Sequence, residues 1–512
     1  TTGGRRAARE REDDAMIDRL RAWLTTPPPP APAPPAPAAR TAALRAQASA
    51  YEAASRSRRT RDWGTANPTA NSAAADAPTI RTRCREAVRN DAWARAIIET
   101  LLDDVIGWGI KPLSRAPDET FRAAVQEAWE DWGAVADADG VLDIAGLQSA
   151  ALRTMLVDGE CFIRLRRRHP QDGLAVPLQL QILPPEICPA EYTLPAADTG
   201  REVRDGIEFD ALGRRTAYIF RDAVPGEDTS QRSSGTTRRV PADQVLHLYE
   251  PLRPGQRRGV PALAPALVRL RELDKYCDAV LLRQQLSNMF TAFVTRPPAI
   301  DQEATDPLTG LPVSPSTAPS ELGFEPGLFQ QLDPGEDVRF SDPPDPPSGF
   351  EAYVEHELRA ACAAVGVPLE AVTHRWGAAN DRIARVVLNQ YRRRVHRLIW
   401  SIVVPQLLRP LWHVWFEWAL RYQALPMPPV DRRAAARVTF APHAHAYIHP
   451  VQDIDSYSRA IRAGLTSRAA AVAETGEDVE VIDAQIAADN ARADRLGLRF
   501  DSDGRQQPRG GR

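Results

Sequence analysis

Apolar residues recur three and four positions apart through most of this chain, and in one central block they alternate instead. The longest helical stretch opens at Pro261 and closes at Phe290. Pro261 and Pro265 sit in its lead-in and first turn, and Leu263, Leu267, Leu270, Leu273, Cys277 and Val280/Leu281 then fall on one face. Arg269, Arg271, Glu272, Asp274, Lys275, Asp278 and Arg283 fill the rest. The spacing predicts a helix of roughly 40 Å with one packed and one hydrated side, the pattern of an ordinary amphipathic core helix.

Ahead of it, periodicity predicts one helix over Pro78 to Ile106, closed by Gly107 and Gly109, and others over Asp118 to Gly133 and Ile144 to Asp158. After Gly159 the period shortens to two. Cys161 to Leu165, Leu178 to Leu183, Gly206 to Asp210, Thr216 to Phe220 and Gln244 to Tyr249 are predicted strands, the third and fourth joined as a hairpin through Gly213. Beyond Phe290, Pro297 to Pro347 is proline-rich and carries ten acidic residues against Arg339 alone. A loop of that length is functional or disordered. Ser348 to Glu351 has capping-box spacing and opens a helical stripe from Phe350 to Val365, which stops before Gly366-Val367-Pro368.

A polar connector, Leu369 to Asp381, then leads into a second long helix from about Arg382. Its stripe runs through Ile383, Val386/Val387, Tyr391, Val395, Leu398/Ile399 and Ile402, and Pro405 and Pro410 are expected to kink or break it. Trp412, Trp415 and Trp418 follow, and after Pro426 to Pro429 come small helical segments and a polar tail. Residues 1–45 hold a short helical pattern at Ala15 to Leu24 and a Pro/Ala run that favours polyproline II.

A length of 512 residues suggests about three domains, and the element mix predicts an α+β, predominantly helical fold. With a net charge of only -3, no global field draws nucleic acid or an acidic membrane. The cluster Arg56 to Arg61 reads as a solvated face, with phosphate contact as the alternative. Five widely spaced cysteines form no CxxC pair, so neither a disulfide framework nor a zinc cage is expected and a reducing compartment fits. The most apolar segment, Leu398 to Leu408, is interrupted by Ser401, Pro405 and Gln406 and falls short of the roughly 18 residues of a span. A soluble protein is expected.

Candidate chemistry is sparse. His443-x-His445-xxx-His449 is the densest metal-like cluster, but it sits in a Pro-containing linker without a nearby carboxylate, so its histidines read as chance surface residues and no metal is assigned. Asp137 to Asp143 resembles the start of a calcium loop but lacks the closing glutamate. There is no GxxxxGK[ST], GxSxG or HExxH, and His247 and His356 read as core or surface histidines rather than bases. No cofactor and no catalytic residue are expected.

The order of parts resembles the lambda-like family of tailed-phage portal proteins. The resemblance rests on Tyr51-Glu-Ala-Ala-Ser55 with Arg61-Asp-Trp63, Arg83-Cys-Arg85 with Val88-Arg-Asn90, Gly107 to Ile110, Gly159-Glu160, Arg253 to Pro261, Gly366-Val-Pro368 and Gly464 to Asp478. In one place the chain departs from the family pattern, reading Asn380-Asp381-Arg382-Ile383 in place of an Asn-Tyr-Ser-Ser-like stretch.

The resemblance implies a ring of about twelve identical subunits at one capsid vertex, a conduit for double-stranded DNA during packaging and ejection. It implies an N-terminal arm (1–45), a wing (46–260), a stem helix (261–291), a clip (292–347), a returning stem helix (348–368), a tunnel loop (369–381), a long wing helix with an aromatic segment (382–430), a crown (431–500) and a tail (501–512). His374, Arg375, Trp376, Asn380, Asp381 and Arg382 would meet DNA at the tunnel loop, and Arg271, Asp274, Lys275 and Asp278 would face the stem channel. Asp301, Glu303, Asp306, Glu321, Glu325, Asp333, Glu336 and Asp337 would form the clip's docking surface. Implied partners are further copies of the chain, the large terminase subunit, a head-tail connector, the major capsid protein or scaffold, and DNA, in the virion and, during assembly, the host cytoplasm. The competing expectations are a soluble metal-dependent DNA-processing hydrolase using the His443 cluster, and a monomeric adaptor.

Overall fold

The computed structural model describes residues 69–195, 201–223, 236–288, 292–295, 308–310, 337–340, 349–375, 381–444, 450–500 and 505. The N-terminal readings, the arm and Arg56 to Arg61 among them, lie outside these residues.

The predicted single helix over Pro78 to Ile106 is two helices, α1 (Ala73–Asn90) and α2 (Ala92–Val105). Asp91 separates them. Its backbone is extended, and its carboxylate accepts the N–H groups of Trp93 and Ala94 at 2.8 and 3.3 Å, so a side-chain cap replaces the continuing ladder. Helices α3 (Glu119–Ala134) and α4 (Ile144–Asp158) form where predicted, capped by Asp118 and Asp143.

The alternating block forms two antiparallel sheets. In one, β2 (Glu160–Arg167) lies between β3 (Leu178–Leu183) and β8 (Val245–Tyr249), with Phe162 opposite both Leu183 and His247. The other has the order β4 (Glu202–Arg204), β5 (Ile207–Phe209), β6 (Arg215–Arg221), β7 (Thr237–Pro241). A small core including Phe162, Tyr218, Phe220 and Val245 fills the space between them. A further pair was not predicted: β1 (Lys111–Ser114) binds β11 (Val438–Ala441), joining two segments more than 300 residues apart.

Helix α5 (Leu267–Asn288) starts six residues later than expected, because residues 262–266 turn before the helical register begins, and its 22 residues span about 33 Å. Leu263, Leu270 and Leu273 are buried as predicted, but Val268, Leu281 and Leu282 are 72%, 54% and 55% exposed. Helix α6 (Phe350–Val365) returns antiparallel to α5, with Tyr276 against Phe350 and Tyr353 and Arg269 paired to Glu357 at 2.7 Å. Gly349 precedes α6 without a side-chain cap, and Ser348 lies outside the described residues. Beyond the hairpin, β9 (Ala292–Thr295) pairs with β10 (Asp337–Phe340), which lies within the stretch read as loop.

The connector is less of a loop than predicted. Leu369–Thr373 forms a short helix, α7, with Leu369 and Val372 buried. From α8 (Asp381–Leu398) the chain stays helical through a π segment, Ile399–Leu408, into α9 (Arg409–Arg421). Neither proline breaks it. Pro405 is taken up within the wider π register, and Pro410 falls in the first turn of α9. Trp412 and Trp415 are fully buried against Trp129 and Trp132 of α3, at the centre of the main core. The chain ends in α10 (Arg432–Ala435), β11, α11 (Pro450–Arg462), α12 (Arg468–Glu474) and α13 (Val479–Leu496).

Candidate functional site

Two chain passages cross where β2 begins and where the lead-in to α5 begins. A Cβ on Gly259 would lie 1.9 Å from the carbonyl oxygen of Gly159. A Cβ on Gly159, whose φ is +93°, would lie 2.7 Å from the Pro261 nitrogen. Only glycine lets these backbones meet.

Beside the crossing, Glu160 accepts hydrogen bonds from Arg258 Nε at 2.8 Å to each oxygen, from the Gly259 amide at 3.2 Å and from His247 Nε2 at 3.0 Å. Arg258 also donates to the carbonyls of Cys188 at 3.1 Å and Asp205 at 2.8 Å, and lies over the Phe162 ring. His247 stacks between Phe162 and Tyr249, with centroids 4.4 and 4.6 Å away. Arg215 Nη1 points at His247 Nδ1, 3.2 Å away, which fixes the neutral tautomer with its proton on Nε2. The turn before Arg258 is held by Gln256, whose side chain accepts from Leu252 and Arg253 and donates to the Arg258 carbonyl. Helix α1 joins through Arg85, which donates to both Asp158 oxygens at 2.7 and 2.6 Å.

Burial opposes ionisation of Glu160, but Arg258 and then His247 override it and hold the carboxyl well below its ordinary range. For His247, burial outweighs the pull of Glu160 and pushes the ring down to about 4. Glu160, Arg258 and His247 are 1%, 5% and 7% exposed, so no substrate can reach them. The arrangement positions the root of α5 on the sheet.

Sequence reasoning singled out Gly159-Glu160 and Arg253 to Pro261 separately, and read His247 as a core or surface histidine. That these segments are one buried site is new from the structure. The only signal in the sequence was a Gly-Glu and an Arg-Gly step at opposite ends of the β-rich block.

The predicted site residues are spread out. On α5, Arg271 pairs with Asp274 at 3.5 Å and Lys275 with Glu272 at 2.7 Å, and all are exposed, as is Asp278. His374 has a left-handed backbone, and Arg375 reaches back to Glu351 of α6 at 2.6 Å. Arg382 is exposed in the first turn of α8, which Asp381 opens, while Trp376 and Asn380 lie outside the described residues. Asp301, Glu303, Asp306, Glu321, Glu325, Asp333 and Glu336 also lie outside, and Asp337 opens β10 opposite Thr295. His443, read as a surface histidine, is buried against Gly107 and the Trp108 ring at 5.3 Å, while His445 and His449 lie outside. Asp137 spends its carboxylate on the amides of Asp139, Val141 and Leu142.

Residues 56–398 match the family described as phage portal protein, lambda family. The chain belongs to that family. The matched span takes in the buried junction, the helical hairpin and α8, and stops at Leu398, where the π segment begins. The probable portal protein of Halomonas phage phiHAP-1 is 24% identical over 444 residues, covering 83% of this chain and 82% of that one. Portal protein B of Escherichia phage lambda is 21% identical over 464 residues, covering 81% and 84%. Among solved structures, a chain of the neck of a native GTA particle, computed with C12 symmetry, overlays with a TM-score of 0.44 at 13% identity, over 77% of this chain and 91% of that one. Among the described residues of this portal-family chain, no helix is long and apolar enough to cross a membrane.

Proposed function

We propose that copies of this chain assemble into a closed ring of about twelve at a capsid vertex, through which double-stranded DNA enters and leaves the head. Family membership over residues 56–398 carries this reading. In it the protein is a conduit without catalysis of its own. The hairpin of α5 and α6 is the stem, the ribbon of β9 and β10 roots the clip, residues 369–381, with α7 at their start, form the tunnel loop, and the C-terminal helices form the crown. Lys275 and Asp278 border the channel, where a near-balance of charge avoids the tight phosphate neutralisation that would oppose sliding. His374, Arg375, Trp376 and Arg382 make light contacts with the passing duplex. The acidic residues between Asp301 and Asp337 dock the large terminase subunit and then the head-tail connector, and the wing meets the capsid protein or scaffold.

Exposed apolar residues on the hairpin and on α8 support a subunit made to be covered by copies of itself: Val268, Leu281, Leu282, Ile383 and Val386 are all more than half exposed. The test is native mass spectrometry of the full chain with negative-stain images of the same sample. A ring of about a dozen subunits with a central hole is expected. A discrete dimer that cleaves DNA and loses that activity with a chelator would replace the conduit with a hydrolase.

A further inference from the structure

Between α1 and α5 runs a groove of about 450 Å³. Its floor is apolar, including Ile80, Ala87 and the 72%-exposed Val268. Its rim is mainly acidic, with Glu86, Asp91, Glu272 and Asp274 against Arg83 and Arg271. The acidic groups crowd one another: burial, and then the nearby carboxylates of Asp274 and Glu86, hold the Asp91 carboxyl above its ordinary range. A basic, apolar segment would relieve both the exposed floor and this repulsion.

The chain contains such a segment. The first half of α8 turns Ile383 and Val386 outward, 59% and 53% exposed, although Tyr391, Val395 and Leu398 further along are buried. The charges of α8 are the reverse of the groove's: it carries six arginines against Asp381 alone, and of these Arg394 and Arg397 pair with Glu250 of the same chain. Arg382 and Arg393 lie along the face that carries Val386, at i−4 and i+7. Within one chain the two surfaces leave each other uncovered. A contact between two different patches on identical copies repeats head to tail, and closes when the rotation per copy divides a full turn.

We propose that the α1–α5 groove of one subunit receives the exposed face of α8 from Arg382 to Arg393 of the next, with Ile383 and Val386 on its floor and Arg382 and Arg393 against Glu272 and Asp274. The proposal rests on the ring reading and names the surfaces that join it. Arg271 and Asp274 then belong to the boundary between subunits and not to the channel.

Charge reversal tests it in the full-length protein. Glu272→Arg with Asp274→Arg should abolish the ring mass in native mass spectrometry, as should Arg382→Glu with Arg393→Glu. All four changes in one chain should restore it. As a check independent of charge, Val268→Cys with Val386→Cys should give a disulfide-linked ladder on mild oxidation, and neither single variant should. Rings that survive both reversals would overturn the proposal and leave the groove to another occupant, such as the chain's own N-terminal residues. Loss in both without rescue, and without the ladder, would overturn it too. A wild-type chain that forms no ring fails the ring reading itself, so the two failures are distinguishable.

Discussion

The junction at the root of α5 and the far half of the same helix place charge and apolar surface in opposite ways. At the root, Glu160, Arg258 and His247 are buried and each is met by partners on other elements. Further along the helix, Lys275 is satisfied by Glu272 on its own helix, and Leu281 and Leu282 face outward. One helix is therefore self-sufficient where it leaves the sheet and incomplete in its far half. A buried ion pair is a poor source of net stability but a strong constraint on geometry. That suits a hinge point which must aim a long hairpin, whereas exposed leucines suit a surface waiting for another copy.

The sharpest way to break this contrast is Glu160→Gln, which leaves Arg258 buried without its counter-charge. A loss of about 3–5 kcal/mol is expected, read as a lower urea midpoint at fixed protein concentration. A loss under about 1 kcal/mol would mean that the carbonyls of Cys188 and Asp205 suffice for Arg258 and that the junction is ordinary packing.

The next effect is acid lability. His247 is held at about 4 against an ordinary 6.5, so between those values the unfolded chain takes up a proton that the folded chain refuses. Its contribution, about 3 kcal/mol, is complete above pH 6.5 and is lost as pH falls toward 4. Glu160 is depressed as well, which adds in the same direction at lower pH. Urea midpoints from pH 7.5 to 4.5 should therefore fall, and the fall should flatten in His247→Phe. An equal slope in that variant would assign the acid sensitivity elsewhere.

Much of this fold was legible where one local rule decided the outcome. Asp118 and Asp143 start α3 and α4 because a cap followed by a 3.6-residue stripe has few alternatives. The hairpin through Gly213 was legible for similar reasons. Three things were not. The pairing of β1 with β11 is set by contact between distant segments, and no local pattern announces it. Pro405 was expected to kink or break the helix, but the buried row Ile402, Val403 and Leu407 keeps it unbroken through a π register that propensity does not predict. The Glu160 site was missed because His247 and Arg258 lie 87 and 98 residues beyond Glu160 in sequence, and each member alone resembles a surface charge or a core ring.

The smallest expected change in chain stability separates the two regions most directly. Leu281→Ser with Leu282→Ser alters side chains that are more than half exposed, so little apolar area is removed from the folded core. The unfolding midpoint of the isolated chain should stay within about 0.5 kcal/mol of wild type. Assembly should not be so tolerant, because in a ring these leucines would be covered by a neighbour. Unchanged unfolding together with a lost ring mass would place the energy of this half of α5 between chains. A drop in the midpoint comparable to that of Glu160→Gln would mean that it packs within its own chain, and the contrast between root and tip would disappear.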